Sequence, residues 1–326
     1  MPTQILRSQP GIKRDGTKFD GEFYTDGQWV RFQRGLPRKI GGYRSISKYL
    51  TEISRGFMSF TQQLLQYCHS GGPSTLERFT IDASKNASLI SDRTPMAVAA
   101  TGTVTLTGGA AGSVDGITVN GVQIMSGAVS FTTDLATTAA AVATNINLHV
   151  SIPNYSAVAV GPVITITAST AGVATNGYAV AAATTTITAT STNMVGGSDA
   201  LVASDANRWM FQAVFDSSTQ YNALLAHVSP NGRCLCNDVG GQIFYGDLLG
   251  TAPLKSVKLP AGANVTGGIV ALHPYLFYYG TAGIIGWSVA GQPTDLTGSG
   301  SGIARVWSQK IVKGLPLRSG IRTWSG

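Results

Sequence analysis

Short aromatic and β-branched runs recur through both ends of the chain. "LLQYCHS" (64–70), "ERFTID" (77–82), "ASLIS" (87–91), "RWMFQAVFD" (208–216), "YNALLAHV" (221–228), "RCLCND" (233–238), "QIFYGD" (242–247) and "YLFYYG" (275–280) are parted by turn residues such as Ser229-Pro230-Asn231-Gly232. Runs of this length and spacing predict a β meander of the sandwich or propeller type. At about 40–45 residues per propeller blade, the two ends leave room for about five blades.

The middle of the chain follows a different pattern. "GITVNGVQI" alternates on both sides of Asn120-Gly121, the residue pair preferred by a two-residue hairpin turn. "DLATTAAAVATNINLHV" then places Leu135, Ala139, Val142 and Ile146 on one helical face, with Thr133 or Asp134 as N-cap and His149 closing the helix. "PVITITAS" and "TTTITATS" return to period two. The expected fold class is therefore mainly β: a propeller-like or meander body (1–96 and 204–326) interrupted by a small α+β module of β-β-α-β-β order (97–203).

Composition narrows the choice. Charged residues make up 12% of the 326, and the 40 glycines are more than average usage. An apolar fraction of 43% nevertheless sets the chain apart from disordered sequences. The net charge is +7, yet no Lys or Arg lies between Arg93 and Arg208. The basic side chains sit in the flanks, interleaved with aromatics in "WVRFQRGLPRK" and "ARVWSQKIVKGLPLR". Such stretches suit a phosphate backbone contacted without sequence readout, and equally a solvated strand face or an intersubunit rim.

Chemistry is sparse. His69, His149, His227 and His273 are scattered without metal-ligand spacing. Cys234 and Cys236 have no second ligand pair for zinc and read as small strand residues in a reducing compartment; with Cys68 they form no disulfide framework. "GWSVAG" (286–291) has Ala290 where a nucleophile elbow needs Gly. "TGSGSGIAR" (297–305) reads as loop, and Asn86 and Asn264 carry sequons that matter only in a secreted chain. The start "MPTQILRSQP" lacks an apolar signal core, and His273, Pro274 and glycines break the longest charge-free apolar stretch (268–291), so neither secretion nor a membrane span is expected. No enzyme, cofactor or metal site is expected.

One block carries more than composition. "PGIKRDGTKFDGEFYTDGQWVRFQRGLPRKIGGYRSIS" (10–47) resembles the N-terminal signature of the tail nozzle (tail tubular B-like) proteins of short-tailed, podovirus-type bacteriophages. Trp29, Arg31, Phe32, Gly35, Leu36, Pro37, Lys39, Ile40, Gly41 and Gly42 fill its W-V-R-F-x-x-G-L-P-x-K-I-G-G pattern, with Tyr43 where Trp is common. Residues 272–320, "LHPYLFYYG" to "GLPLRSG", look similar to a second block of that family, and the middle module looks like small insertion domains of phage tail and decoration proteins. The resemblance implies a virion tail protein made in the bacterial cytoplasm. It implies a homo-oligomeric ring, a hexamer, that meets the tail adaptor ring and other tail proteins and touches phage DNA transiently in its channel. Trp29, Phe32, Gly35, Pro37, Gly41 and Gly42 would then shape and pack the turns. Arg31, Arg34, Arg38, Lys39, Arg305, Lys310, Lys313 and Arg318 would face the channel or a neighbouring subunit. Proteins of that family are longer, and "IRTWSG" falls outside the pattern, so either a shortened product or a member with fewer blades is expected. The alternative expectation is a propeller or sandwich that binds host-surface carbohydrate through the aromatic runs "YLFYYG" and "IFYGD".

Overall fold

In the computed structural model, residues 9–12, 23–24, 30–33, 36–39, 49–229, 241–263, 265–280 and 283–306 are described. The chain divides into two units, Met1–Lys48 and Tyr49–Gly326. The first holds β1 (Gln9–Ile12) paired in parallel with β2 (Phe23–Tyr24), and a hairpin of β3 (Val30–Gln33) and β4 (Leu36–Lys39).

The second unit begins with a four-stranded antiparallel meander, blade 1. It comprises β5 (Gly56–Gln62), β6 (Leu65–Gly71), β7 (Leu76–Ile81) and β8 (Ser91–Asp92) in sequence order. The module follows with β9 (Thr101–Gly108), β10 (Ser113–Val119), β11 (Val122–Gln123), β12 (Val129–Ser130), α1 (Leu135–Leu148), β13 (Tyr155–Val160), β14 (Val163–Ala168), β15 (Val180–Thr185) and β16 (Thr188–Val195). Blade 2 is β17 (Arg208–Asp216), β18 (Tyr221–Ser229), β19 (Gln242–Asp247) and β20 (Lys255–Ser256). Blade 3 is β21 (Gly268–Leu272), β22 (Tyr275–Tyr279), β23 (Ile284–Trp287) and β24 (Gly302–Arg305). The fold is mainly β, and the described residues form three blades and no closed barrel.

Side-chain alternation explains how the blades stack. On β18, Leu224, Ala226 and Val228 join Leu76, Trp209 and Phe244 in a core between blades 1 and 2. Leu225, one residue out of phase, joins Val214, Ile243, Ile269, Leu276 and Tyr278 in a core between blades 2 and 3. Both faces of β18 are therefore buried, and its sequence "NALLAHVS" reads as a continuous run with little alternation. The first strands lie side by side, β17 touching both β5 and β21, as neighbouring propeller blades do.

The module has its own core, built from Val104, Leu106, Ile117, Val119, Val142, Ile146, Ile164, Ile166 and Met194 among others. Asp134 caps α1 by accepting from Thr137 N at 2.7 Å, and the backbone N–H of His149 closes the helix onto Asn145 and Ile146. Asn120 and Gly121 both have positive φ (50° and 79°), the turn that their pairing predicts. The strand order is richer than β-β-α-β-β, because the hairpin partners β11 and β12 come before the helix and β13 to β16 all follow it. The runs "NYSAVAV" and "AVAAATT" supply β13 and β15, and the three alanines within β15 weaken its strand propensity.

Entry and exit of the module meet. Val98 and Ser198 exchange both backbone hydrogen bonds, at 2.8 and 2.9 Å. Beyond that bridge the chain bonds to blade 2: Ser198 and Asp199 to Ser256, and Ala200 and Val202 to the Gln242 amide. Replacing residues 99–197 with a short Gly-Ser linker is therefore expected to leave the blades folded, since loop length costs only about 0.6 kcal/mol per doubling. The measurement is urea unfolding and size-exclusion chromatography of the shortened chain. An insoluble product, or one of different oligomeric state, would show that the module belongs to the body.

Candidate functional site

The two-residue connection Arg34-Gly35 between "VRFQ" and "LPRK" fixes the register of the β3–β4 hairpin: Val30 opposite Lys39, Arg31 opposite Arg38, Phe32 opposite Pro37 and Gln33 opposite Leu36. Pro37 has no N–H to donate, so the Phe32–Pro37 position cannot be the hydrogen-bonded kind of pair. Pair types alternate along an antiparallel ladder, so Arg31 and Arg38 form a hydrogen-bonded pair, their Cα atoms about 5.5 Å apart. Both side chains are exposed and leave the same face, while Val30 and Phe32 on the opposite face are half-buried.

Like charges placed directly across a ladder repel. Between Asp26 and Glu52 the ionisable side chains of acid or base type are Arg31, Arg34, Arg38, Lys39, Arg44 and Lys48, all basic. The hairpin thus presents paired guanidinium forks, each able to take two phosphate oxygens, on a two-stranded ribbon.

Lys39 is placed by its backbone in β4. Arg305 ends β24, the last strand of blade 3, with its side chain exposed. It lies in the second unit, apart in sequence from the hairpin. Pro37 is exposed and Phe32 half-buried. Trp29, Arg34, Gly35, Gly41, Gly42, Lys310, Lys313 and Arg318 lie outside the described residues, as do Cys234, Cys236 and Asn264.

The aromatic runs behind the carbohydrate expectation are partly buried. Tyr278 and Tyr279 are 0% and 1% exposed and Phe244 is 0%, while Tyr245, Tyr275 and Phe277 are half-buried. Tyr278 and Phe244 belong to the interblade cores, whereas Tyr275 and Phe277 pair with ring centroids 6.0 Å apart and keep part of their surface accessible.

A cleft of about 330 Å³ lies between module and blade 2, lined in part by Asp199, Gln242, Ser256 and Lys258. Its polar groups are already engaged. Asp199 accepts from Val173 N at 3.0 Å, and the Lys258 ammonium donates to the Asn176 carbonyl and stands over the Tyr178 ring. This is the joint that seats the module.

Glu52 shows the same economy. Burial pushes its carboxyl up, but hydrogen bonds from the side chains and backbones of Ser74 and Thr75 outweigh that and hold it below its usual range. It pins the loop that precedes β7 onto the start of blade 1. No family model and no curated protein matches the chain.

Proposed function

We propose that this chain is a structural protein of a short-tailed phage tail, a nozzle-type subunit that assembles into a ring around the path of the DNA. The observation that carries the reading is the run of three consecutive four-stranded blades with separate interblade cores, interrupted between blades 1 and 2 by a module with a core of its own. Such a body can bear an assembly, while the module stands as a decoration that adds no Lys or Arg. The hairpin charges support the DNA path, since passage needs contacts that hold no register and read no base.

The test is negative-stain imaging of the purified protein, with class averages expected to show a ring with an open axial channel. A monodisperse monomer at micromolar concentration would overturn the ring. Filter binding of the assembled protein to two unrelated duplexes separates the second part of the proposal. Equal weak affinity, falling steeply with salt, is expected, and Arg31→Gln with Arg38→Gln should make the salt slope shallower by roughly one to two. Sequence-selective binding, or a slope untouched by the double variant, would remove the hairpin from the DNA path.

A further inference from the structure

We infer that Asn120, at the tip of the β10–β11 hairpin, is a site of spontaneous covalent modification: the backbone nitrogen of Gly121 displaces its side-chain amide and leaves aspartate and isoaspartate. This inference does not rest on the tail proposal.

The chain holds Asn-Gly pairs at 120–121, 176–177 and 231–232, the last outside the described residues. Asparagine is most vulnerable before glycine, because no Cβ shields the attacking nitrogen and the glycine backbone turns freely. The fold treats the two described pairs differently. Asn120 and Gly121 are both exposed, and a Cβ on Gly121 would meet nothing within 4 Å. The Asn120 backbone N–H donates to the Ala179 carbonyl at 2.8 Å, but among the described residues nothing bonds to its side chain or to the Gly121 N–H. Beyond the turn, β11 adds only the register pairs Thr118–Gln123 and Val119–Val122, followed by the Ile124 N–H donating to the Ile117 carbonyl. Asn176 is held on every side. Its side-chain carbonyl accepts from Gly197 N and its side-chain NH₂ donates to the Gly197 carbonyl, both at 2.8 Å. The Gly177 nitrogen, which would have to attack, donates to the Met194 carbonyl at 2.7 Å.

The reaction needs only water and hydroxide. Hydroxide takes the Gly121 N–H proton, and the nitrogen adds to the Asn120 side-chain carbonyl carbon. As the new C–N bond closes a cyclic imide, the Cγ–Nδ2 bond breaks, and the leaving nitrogen takes a proton from water and departs as ammonia. Water then opens the imide at either carbonyl, giving aspartate or isoaspartate. Nothing is oxidised or reduced; water enters and ammonia leaves. At Asn176 the two bonds to Gly197 and the one to Met194 must break first, which slows conversion there roughly a hundredfold. The products matter locally. Isoaspartate routes the main chain through the side-chain carbon, so the connection outgrows its two-residue turn. Either product adds a negative charge to a module without Lys or Arg.

The test is peptide mapping by mass spectrometry of the full chain, kept in warm, mildly alkaline buffer either folded or unfolded in guanidinium chloride. In the unfolded chain Asn120 and Asn176 should convert at similar rates, since glycine follows both. In the folded chain the Asn120 peptide should accumulate aspartate and isoaspartate, with the Asn176 peptide roughly a hundredfold behind. Ion exchange of the folded protein should show a growing acidic species that Asn120→Gln diminishes. An Asn120 that stays intact in the folded chain while converting in the unfolded one would overturn the site. So would an Asn176 that keeps pace with it in the folded chain, or an acidic species undiminished in the variant.

Discussion

Trp209→Ala is expected to lower stability by about 3–5 kcal/mol, because it removes the side chain that joins blade 2 to blade 1. The indole is 7% exposed, stacks on Phe211 at 5.8 Å, and donates its N–H to the Gly72 carbonyl at 2.8 Å. Glycines make room for it. A Cβ on Gly71 would lie 2.2 Å from the indole Cγ, and one on Gly56 would lie 2.5 Å from the Trp209 carbonyl oxygen. Gly71 does not have positive φ, so the indole itself, and not the backbone, forbids a methyl there. Gly71→Ala should therefore cost about 1–3 kcal/mol by overpacking in the natural chain and much less in the Trp209→Ala background, where the methyl enters the space left behind. Urea unfolding of the two single variants and the double variant gives the cycle. Additive losses, or a loss under about 1 kcal/mol for Trp209→Ala, would mean that blades 1 and 2 are held together elsewhere.

The same glycines show where the sequence becomes hard to read. β17, β18 and β19 coincide with the runs at 208–216, 221–228 and 242–247, since blade 2 is buried on both faces and its strands are densely apolar. The first strands of blades 1 and 3, β5 and β21, begin at Gly56 and Gly268 and carry a weaker pattern. Gly268 sits at φ 143°, and a Cβ there would meet the Tyr279 hydroxyl at 2.8 Å. Close approach of neighbours decided those residues, and strand propensity did not. The β5–β6 hairpin escapes notice for a related reason. Its turn residues Gln63 and Leu64 adopt positive φ (50° and 65°) without the Asn-Gly pair that signals such a turn at 120–121. "ASLIS" errs the other way: only Ser91 enters a strand, and Ala87 makes a lone bridge to Ile81.

Of the candidate site, composition makes the basic run legible, but the face-sharing of Arg31 and Arg38 follows from the length of the loop between them. The burial of Arg93 is not legible at all. Its carbonyl partners lie 159 and 154 residues away along the chain, across the module. No local pattern announces such a contact.

Acid is expected to separate the blades. His227 is 2% exposed on the blade 3 side of β18, its Nε2–H donating to the Val265 carbonyl. A Cβ on Gly241 would come within 2.9 Å of that nitrogen, so the glycine lets the chain pass close to the ring. Burial holds the imidazole neutral down to about 4, against the pull of the Val265 carbonyl. His69, in the layer between blades 1 and 2, is pushed to about 3, first by burial and then by the charges of Arg93 and Arg78; a contact to the Leu248 backbone opposes this without reaching hydrogen-bond geometry. Both folded-state values lie below the ordinary value of 6.5. The unfolded chain therefore takes up protons first as pH falls. The stability these rings allow is fully present above about 6.5 and is lost progressively on the way down to about 4 and 3. At 1.36 kcal/mol per pH unit, the loss reaches about 3 kcal/mol for His227 and about 5 kcal/mol for His69, comparable with the whole stability of a typical domain. Urea midpoints measured from pH 7.5 to 5 should fall with a slope approaching two protons, and His227→Gln should reduce it to one. Stability that stays flat down to pH 5 would show that neither ring is held neutral, and the interblade layers would then be open to water.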